Sequence, residues 1–120
     1  MNEENRIKIT EEVVGTSLLM HLSGHLDVVS GSILEKNLAH HILSDRIAVV
    51  IDMEGVEYLS SAGLRTLLLM VKQSRRYGTQ LFFCNLSSFV KDIFEVSGFN
   101  ALLTIFETQE GALKQAESLR

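Results

Sequence analysis

Two adjacent hydroxyls, Ser60 and Ser61, stand where a strand gives way to a helical pattern in the run Tyr58-Leu59-Ser60-Ser61-Ala62-Gly63-Leu64. A serine so placed can serve as a nucleophile, help to cradle a phosphate, cap the helix or accept a modification. A hydrolase nucleophile wants a Gly-x-Ser-x-Gly elbow, which presents the hydroxyl on a tight strand-to-helix turn. Ser61 has Gly63 after it but Leu59 before it, and Ser60 has Tyr58 and Ala62. The nucleophile would also need a base with an orienting acid. His21 or His25 with Asp27 could be combined for that, yet no spacing demands it. A P-loop requires Gly-x-x-x-x-Gly-Lys-Ser/Thr, and Gly55 to Gly63 has neither the spacing nor the lysine. An N-cap serine, worth about 1 kcal/mol, stays open for either residue. With two hydroxyls, one can cap while the other remains free.

The elements around the pair are read from periodicity. Ile47-Ala48-Val49-Val50-Ile51 is an unbroken apolar run ending at Asp52, which predicts a strand buried on both faces. Seven residues including Gly55 are expected to form a loop to the serines. Leu64, Leu67, Leu68, Val71 and Arg75 then share one helical face. Lys72, Arg75 and Arg76 lie where cations oppose the helix dipole, and Gly78 is a natural stop. Upstream, Ile7 and Ile9 suggest an edge strand after a frayed end at residues 1–5. Glu11 to Gly15 reads as a turn, and Thr16 to Leu22 alternates as the second strand of a hairpin. In Ser23-Gly24-His25-Leu26-Asp27, Gly24 would make a turn and Asp27 would cap the next element. A first helix is expected from Ser30 or Ser32, with Ser32 and Glu35 at capping-box spacing and Leu34, Leu38 and Ile42 inward.

Downstream, Thr79 to Cys84 predicts another strand, and Asn85 to Ser88 a turn with capping residues. A helix with Val90, Ile93, Phe94 and Ser97 on one face ends at Gly98. Leu102 to Phe106 is a last strand. Thr108 caps a final helix with Ala112, Leu113, Ala116 and Leu119 inward. The order β-β-α-β-α-β-α-β-α is an α/β architecture. It implies a mixed, mostly parallel sheet of about five strands and four helices. No proline, repeat or long linker divides residues 1–120, so one domain is expected.

Composition narrows the function. A net charge of −4 argues against nucleic acid as partner. The lone Cys84 excludes an internal disulfide, fits a reducing compartment and reads as a buried thiol. No apolar run approaches the roughly 20 residues of a membrane span, and the polar start is no signal peptide, so a cytoplasmic protein is expected. His40 and His41 are adjacent and point apart, and none of the four histidines has ligand spacing to the cysteine. No metal, cofactor or small-molecule ligand is expected.

The stretch Asp52-Met53-Glu54-Gly55-Val56-Glu57-Tyr58-Leu59-Ser60-Ser61-Ala62-Gly63-Leu64 resembles the signature of the bacterial STAS-domain anti-sigma factor antagonists. Gly24-His25-Leu26-Asp27 and the segment Val90 to Phe99 are similar to two further motifs of that family. The resemblance therefore spans nearly the whole chain. It implies a STAS fold and a binding module in place of an enzyme. It implies Ser61 as the phosphoacceptor of a partner kinase, with Ser60 replacing the usual aspartate and Ala62 following the acceptor. It also places Asp27 beside the acceptor. The implied partners are an anti-sigma factor that is itself a serine kinase and holds the ATP, and a serine phosphatase that restores the unphosphorylated form. The alternative within the same fold is an accessory subunit of a transporter or other complex, without a phospho-switch. Partner-binding candidates are Asp27, Ser60, Ala62, Gly63, Arg65 and Leu69. Leu69 enters because it falls opposite the leucine stripe, among Arg65, Thr66, Lys72, Gln73 and Arg76.

Overall fold

The apolar run becomes the middle strand of the protein. In the computed structural model, which describes residues 6–42 and 47–119, Val49, Val50 and Ile51 are fully buried. The elements are β1 (Lys8–Val14), β2 (Ser17–Leu26), α1 (Val28–Ile42), β3 (Ala48–Leu59), α2 (Ser61–Arg76), β4 (Gln80–Cys84), α3 (Ser88–Ser97), β5 (Thr104–Phe106) and α4 (Gln109–Glu117). A short 3-10 turn, Phe99–Ala101, precedes β5. Residues 1–5 and the side chain of Ile42 lie outside the described residues.

The strands stand in sequence order, β1-β2-β3-β4-β5. β1 is antiparallel to β2, and all the other pairs are parallel. Each parallel crossover steps the same way, and right-handed connections then place their helices on one side. Leu34 and Leu38 of α1, Leu64, Leu67, Met70 and Val71 of α2, and Val90 and Phe94 of α3 accordingly share one core with Leu18, Met20, Val49, Ile51 and Phe83. The opposite face carries a smaller core in which Ala112 and Ala116 of α4 cover Leu19, Ala48, Val50, Phe82 and Cys84. Leu113 and Leu119 pack at its margin.

Several expected boundaries move. The turn placed at Glu11 to Gly15 shrinks to Gly15-Thr16, because pairing runs from Lys8↔Ser23 to Val14↔Ser17. Gly15 takes φ +63°, a conformation glycine adopts without strain in a two-residue hairpin. Gly24 lies within β2 and makes no turn. The loop expected after Asp52 is strand, as β3 continues to Leu59 beside the end of β2. Two register shifts explain the misreading: His21 to Ser23 is matched by Asp52 to Gly55, and Gly24 to His25 by Val56 to Tyr58. Each inserts one extra residue into β3, so its buried residues recur as Met53, Val56 and Leu59 and the two-residue period is lost.

In α2, Arg75 is exposed, and its guanidinium donates to the Leu102 carbonyl at 3.3 Å. Met70 and Ser74 take buried positions in the helix alongside the leucines. Gly78 follows the helix with φ +77°, and Gly98 caps α3 with φ +78°.

Candidate functional site

β2 and β3 end side by side, with Leu26 paired to Leu59, and a helix leaves each of them. The serine turn is fastened to the neighbouring strand by its backbone. Ser60 N–H donates to the Leu26 carbonyl at 3.0 Å. Ser60 is extended, with φ −82° and ψ 167°, and its Oγ accepts the Gly63 N–H at 3.0 Å. It is therefore the N-cap of α2 and uses its side chain to satisfy a helix donor that has no partner within the helix. Ser61 is the first helical residue and is exposed. The structure thus divides the two hydroxyls: one holds the helix and the other faces solvent.

Gly63 makes this junction possible. It is buried, and a Cβ added there would stand 2.4 Å from the Leu26 carbonyl oxygen, which is backbone and cannot swing aside. Gly63 therefore shapes the turn from inside, while Ala62 is half-buried and Arg65 and Leu69 are exposed. Alanine favours a helix interior over glycine by about 1 kcal/mol, but here the clash outweighs that gain. Gly63→Ala is expected to lower stability by about 1–3 kcal/mol, the usual cost of overpacking. Urea unfolding of the variant measures it, and an unchanged or raised midpoint would mean that the turn is loose.

Asp27 follows Leu26 directly. Its Oδ1 accepts from Val29 N–H at 3.1 Å and Ser30 N–H at 3.0 Å. Ser30 Oγ in turn accepts the Asp27 N–H at 2.8 Å and lies 2.7 Å from the His25 carbonyl, to which it donates. This is a reciprocal capping box between N-cap and N3. It starts α1 at Val28, ahead of the expected Ser30 or Ser32, and leaves Ser32 inside the helix. Asp27 thus follows the residue whose carbonyl holds the serine turn, and it caps α1 as the sequence suggested.

The Ser30 backbone N–H is the chief cause holding the Asp27 carboxyl below its ordinary value. The Ser30 hydroxyl, Val29 N–H and nearby His25 assist, and burial opposes them. Because the folded value is the lower one, Asp27 contributes stability above its unfolded pKa of about 3.9 and loses it as pH falls through the folded value. Asparagine caps nearly as well, so Asp27→Asn removes mainly the charge at the helix N-terminus, about 0.3–1 kcal/mol. Chemical denaturation should show a constant gap between wild type and variant above about pH 5 that closes below about pH 4. A gap unchanged at low pH would contradict the assignment.

The exposed Ser61 opens onto a groove of about 390 Å³ between α2 and α3, lined by Ser61, Leu64, Phe89, Asp92, Ile93, Val96 and Ser97. Phe89 is 48% exposed and Val96 is 90% exposed. Sequence reasoning assigned the inward face of α3 and passed over these two. Their spacing, i and i+7 on an amphipathic helix, is the signal that would have found them.

Another residue missed in the sequence is Asp52, which is 3% exposed. It accepts the Glu54 N–H at 2.9 Å, the Asn85 amide at 3.0 Å and the Gln109 amide at 2.8 Å, with His21 Nδ1 at 3.8 Å. It ties the end of β4 and the start of α4 to β3. Burial, then the Asp52 charge, push the Cys84 thiol up to about 12, so this cysteine is held as an unreactive thiol.

The histidines offered for a hydrolytic triad are engaged elsewhere. His21 lies between Glu12 and Asp52, and His25 packs on Tyr58 with ring centroids 5.3 Å apart, near Glu57. No helix among the described residues is long and apolar enough to cross a membrane.

Comparison with known proteins places this geometry. The family model of the STAS domain matches residues 6–112. A relative from Bordetella bronchiseptica, named as the anti-sigma factor antagonist BtrV, is 33% identical over 106 residues, covering 88% of this chain and 91% of its own. The crystal structure of an anti-sigma factor antagonist from Mycobacterium paratuberculosis superposes with a TM-score of 0.81 at 20% identity, covering 98% of this chain and 99% of the other. Unphosphorylated SpoIIAA, also an anti-sigma factor antagonist, gives 0.77 at 17% identity, covering 94% and 99%. The phosphorylated form of SpoIIAA, from Bacillus, gives 0.68 at 17% identity, covering 90% and 98%. The expected five-stranded mixed sheet with four helices is the fold observed here, and the family is generally non-enzymatic. The chain belongs to the STAS-domain family of anti-sigma factor antagonists.

Proposed function

We propose that this chain is a phospho-switched antagonist acting in the cytoplasm as a single STAS unit, a binding module without catalysis of its own. Unphosphorylated, it holds an anti-sigma factor that is also a serine kinase, and so frees the sigma factor. The kinase supplies ATP; its terminal phosphoryl group passes to Ser61 Oγ, ADP leaves and the hydroxyl proton is released. Phosphorylated chain dissociates, and a serine phosphatase restores it by hydrolysis. The observation that carries this reading is the division of labour in the turn. Ser60 is consumed as a cap, while Ser61 is exposed beside an apolar groove. Asp27, Ser60, Ala62, Arg65 and Leu69 border or follow that turn and are the proposed contact positions, with Gly63 acting through the shape of the turn.

The test is isothermal titration against a candidate anti-sigma factor that is itself a serine kinase. Wild type and Ser61→Ala should bind alike, and Ser61→Asp should bind at least about tenfold more weakly, since a buried unpaired charge is costly. Equal affinity for all three would overturn the switch.

A further inference from the structure

α2 presents a second feature to solvent. At about 100° per residue, Ser61, Arg65, Leu69, Lys72 and Arg76 fall within an arc of about 80°, along about 22 Å of helix. All five are exposed, Leu69 by 51%. Among the described residues no carboxylate forms an ion pair with Arg65, Lys72 or Arg76. Three unpaired cations on one stripe are notable in a chain of net charge −4.

The stripe is one wall of a groove. α1 lies alongside, brought close where Gly31 meets Thr66; a Cβ at Gly31 would stand 2.8 Å from the Thr66 hydroxyl. Between the helices, Glu35, Leu69, Lys72, Gln73, Arg76 and Tyr77 line a depression of about 300 Å³. Val28, 70% exposed, falls on the same face of α1 as Glu35, seven residues earlier.

We propose that this face seats an acidic amphipathic helix of the protein partner, and that phosphorylation of Ser61 displaces it by engaging Arg65. The inference rests on the phosphoacceptor reading given above. Cations seven and four residues apart match carboxylates on one face of an opposing helix, the spacing of a helix laid in a groove. Leu69 supplies an apolar anchor among them. Glu35, the acid on the facing wall, rejects a carboxylate there and sets which way the helix lies. Ser61 begins the stripe, and Arg65 is its i+4 neighbour. A phosphoryl group on Ser61 brings about −1.5 to −2 charges and acceptors that a guanidinium binds bidentately. It removes Arg65 from the partner and repels the partner's acids from the end of the stripe.

The test is an NMR titration of the labelled chain with a synthetic helical peptide bearing glutamates at this spacing around a leucine, and with a control in which lysines replace the glutamates. The acidic peptide should shift the amides of Val28, Glu35, Arg65, Leu69, Lys72 and Arg76. Its affinity should fall about tenfold or more in Lys72→Glu/Arg76→Glu, and again with added salt. Ser61→Asp should weaken it, and that effect should be smaller in an Arg65→Gln background, where repulsion alone remains; an undiminished effect would overturn the engagement of Arg65. Absence of saturable shifts, shifts confined to the α3 groove, or equal binding of the lysine peptide would overturn the docking face. Binding to phosphatidylglycerol vesicles without binding to the peptide would overturn it in favour of a lipid surface. A Ser61→Asp chain with unchanged affinity would overturn the part played by phosphate. If the peptide seats as expected but the kinase labels a residue other than Ser61, the phosphoacceptor reading falls and the docking face stands.

Discussion

Val49→Asp is expected to leave the protein largely unfolded. Val49 is fully buried, pairs with Leu18 on one side and Leu81 on the other, and belongs to the main core. A carboxylate there either stays charged without a partner or takes up a proton, and both cost free energy. A penalty of about 4–5 kcal/mol or more consumes most of a stability of about 5–15 kcal/mol. Val13→Asp is the control, since Val13 is 59% exposed on the edge strand and should shift stability by no more than about 0.5 kcal/mol. Circular dichroism and thermal melting read both. A Val49→Asp variant that melts like wild type would remove β3 from the centre of the sheet.

The contrast between these two valines shows what was legible in the sequence. Val49 lies in an unbroken apolar run rich in β-branched residues, the pattern of a strand covered on both faces, which the structure shows from Ala48 onward. The starts of α3 and α4 were equally plain, because Ser87 and Thr108 cap where a capping residue precedes an amphipathic pattern. The inward faces were legible only in part: Arg75 and Ser97 are exposed, and Met70 and Ser74 take buried places in α2. The second half of β3 was not legible. Its two extra residues spread the inward positions to Met53, Val56 and Leu59, a spacing that no regular strand has. The start of α1 was legible only in part: Asp27 read as a cap for the next element, as it is, but the helix was placed from Ser30 or Ser32 because serine at N3 lies outside the usual Ser/Thr-x-x-Glu pattern. Asp52 was seen as the end of a strand, but its partners Asn85 and Gln109 come from distant parts of the chain, and local patterning holds no trace of them. In the serine turn, sequence offered either hydroxyl as a cap. The Leu26 carbonyl, which takes Ser60 N–H and crowds Gly63, decided for Ser60.

That geometry bears on how phosphorylation of Ser61 would act. The acceptor would lie at the first turn of α2, which carries no acidic residue, so a phosphoryl group would meet the positive end of the helix dipole and its free N–H groups. The fold is therefore expected to survive modification. The effect would fall on the contact surface, where a partner closing over Ser61 and the groove to α3 would have to bury a dianion beside Asp27. Incubation with the cognate kinase and ATP should add one phosphoryl group to wild type and to Ser60→Ala, and none to Ser61→Ala. Phosphorylated wild type should keep its circular dichroism spectrum and lose its partner. Phosphopeptide mass spectrometry of the kinase-treated chain tests the central claim most directly: the account predicts phosphate on Ser61 alone, and phosphate on Ser60, or undiminished labelling of Ser61→Ala, would contradict it.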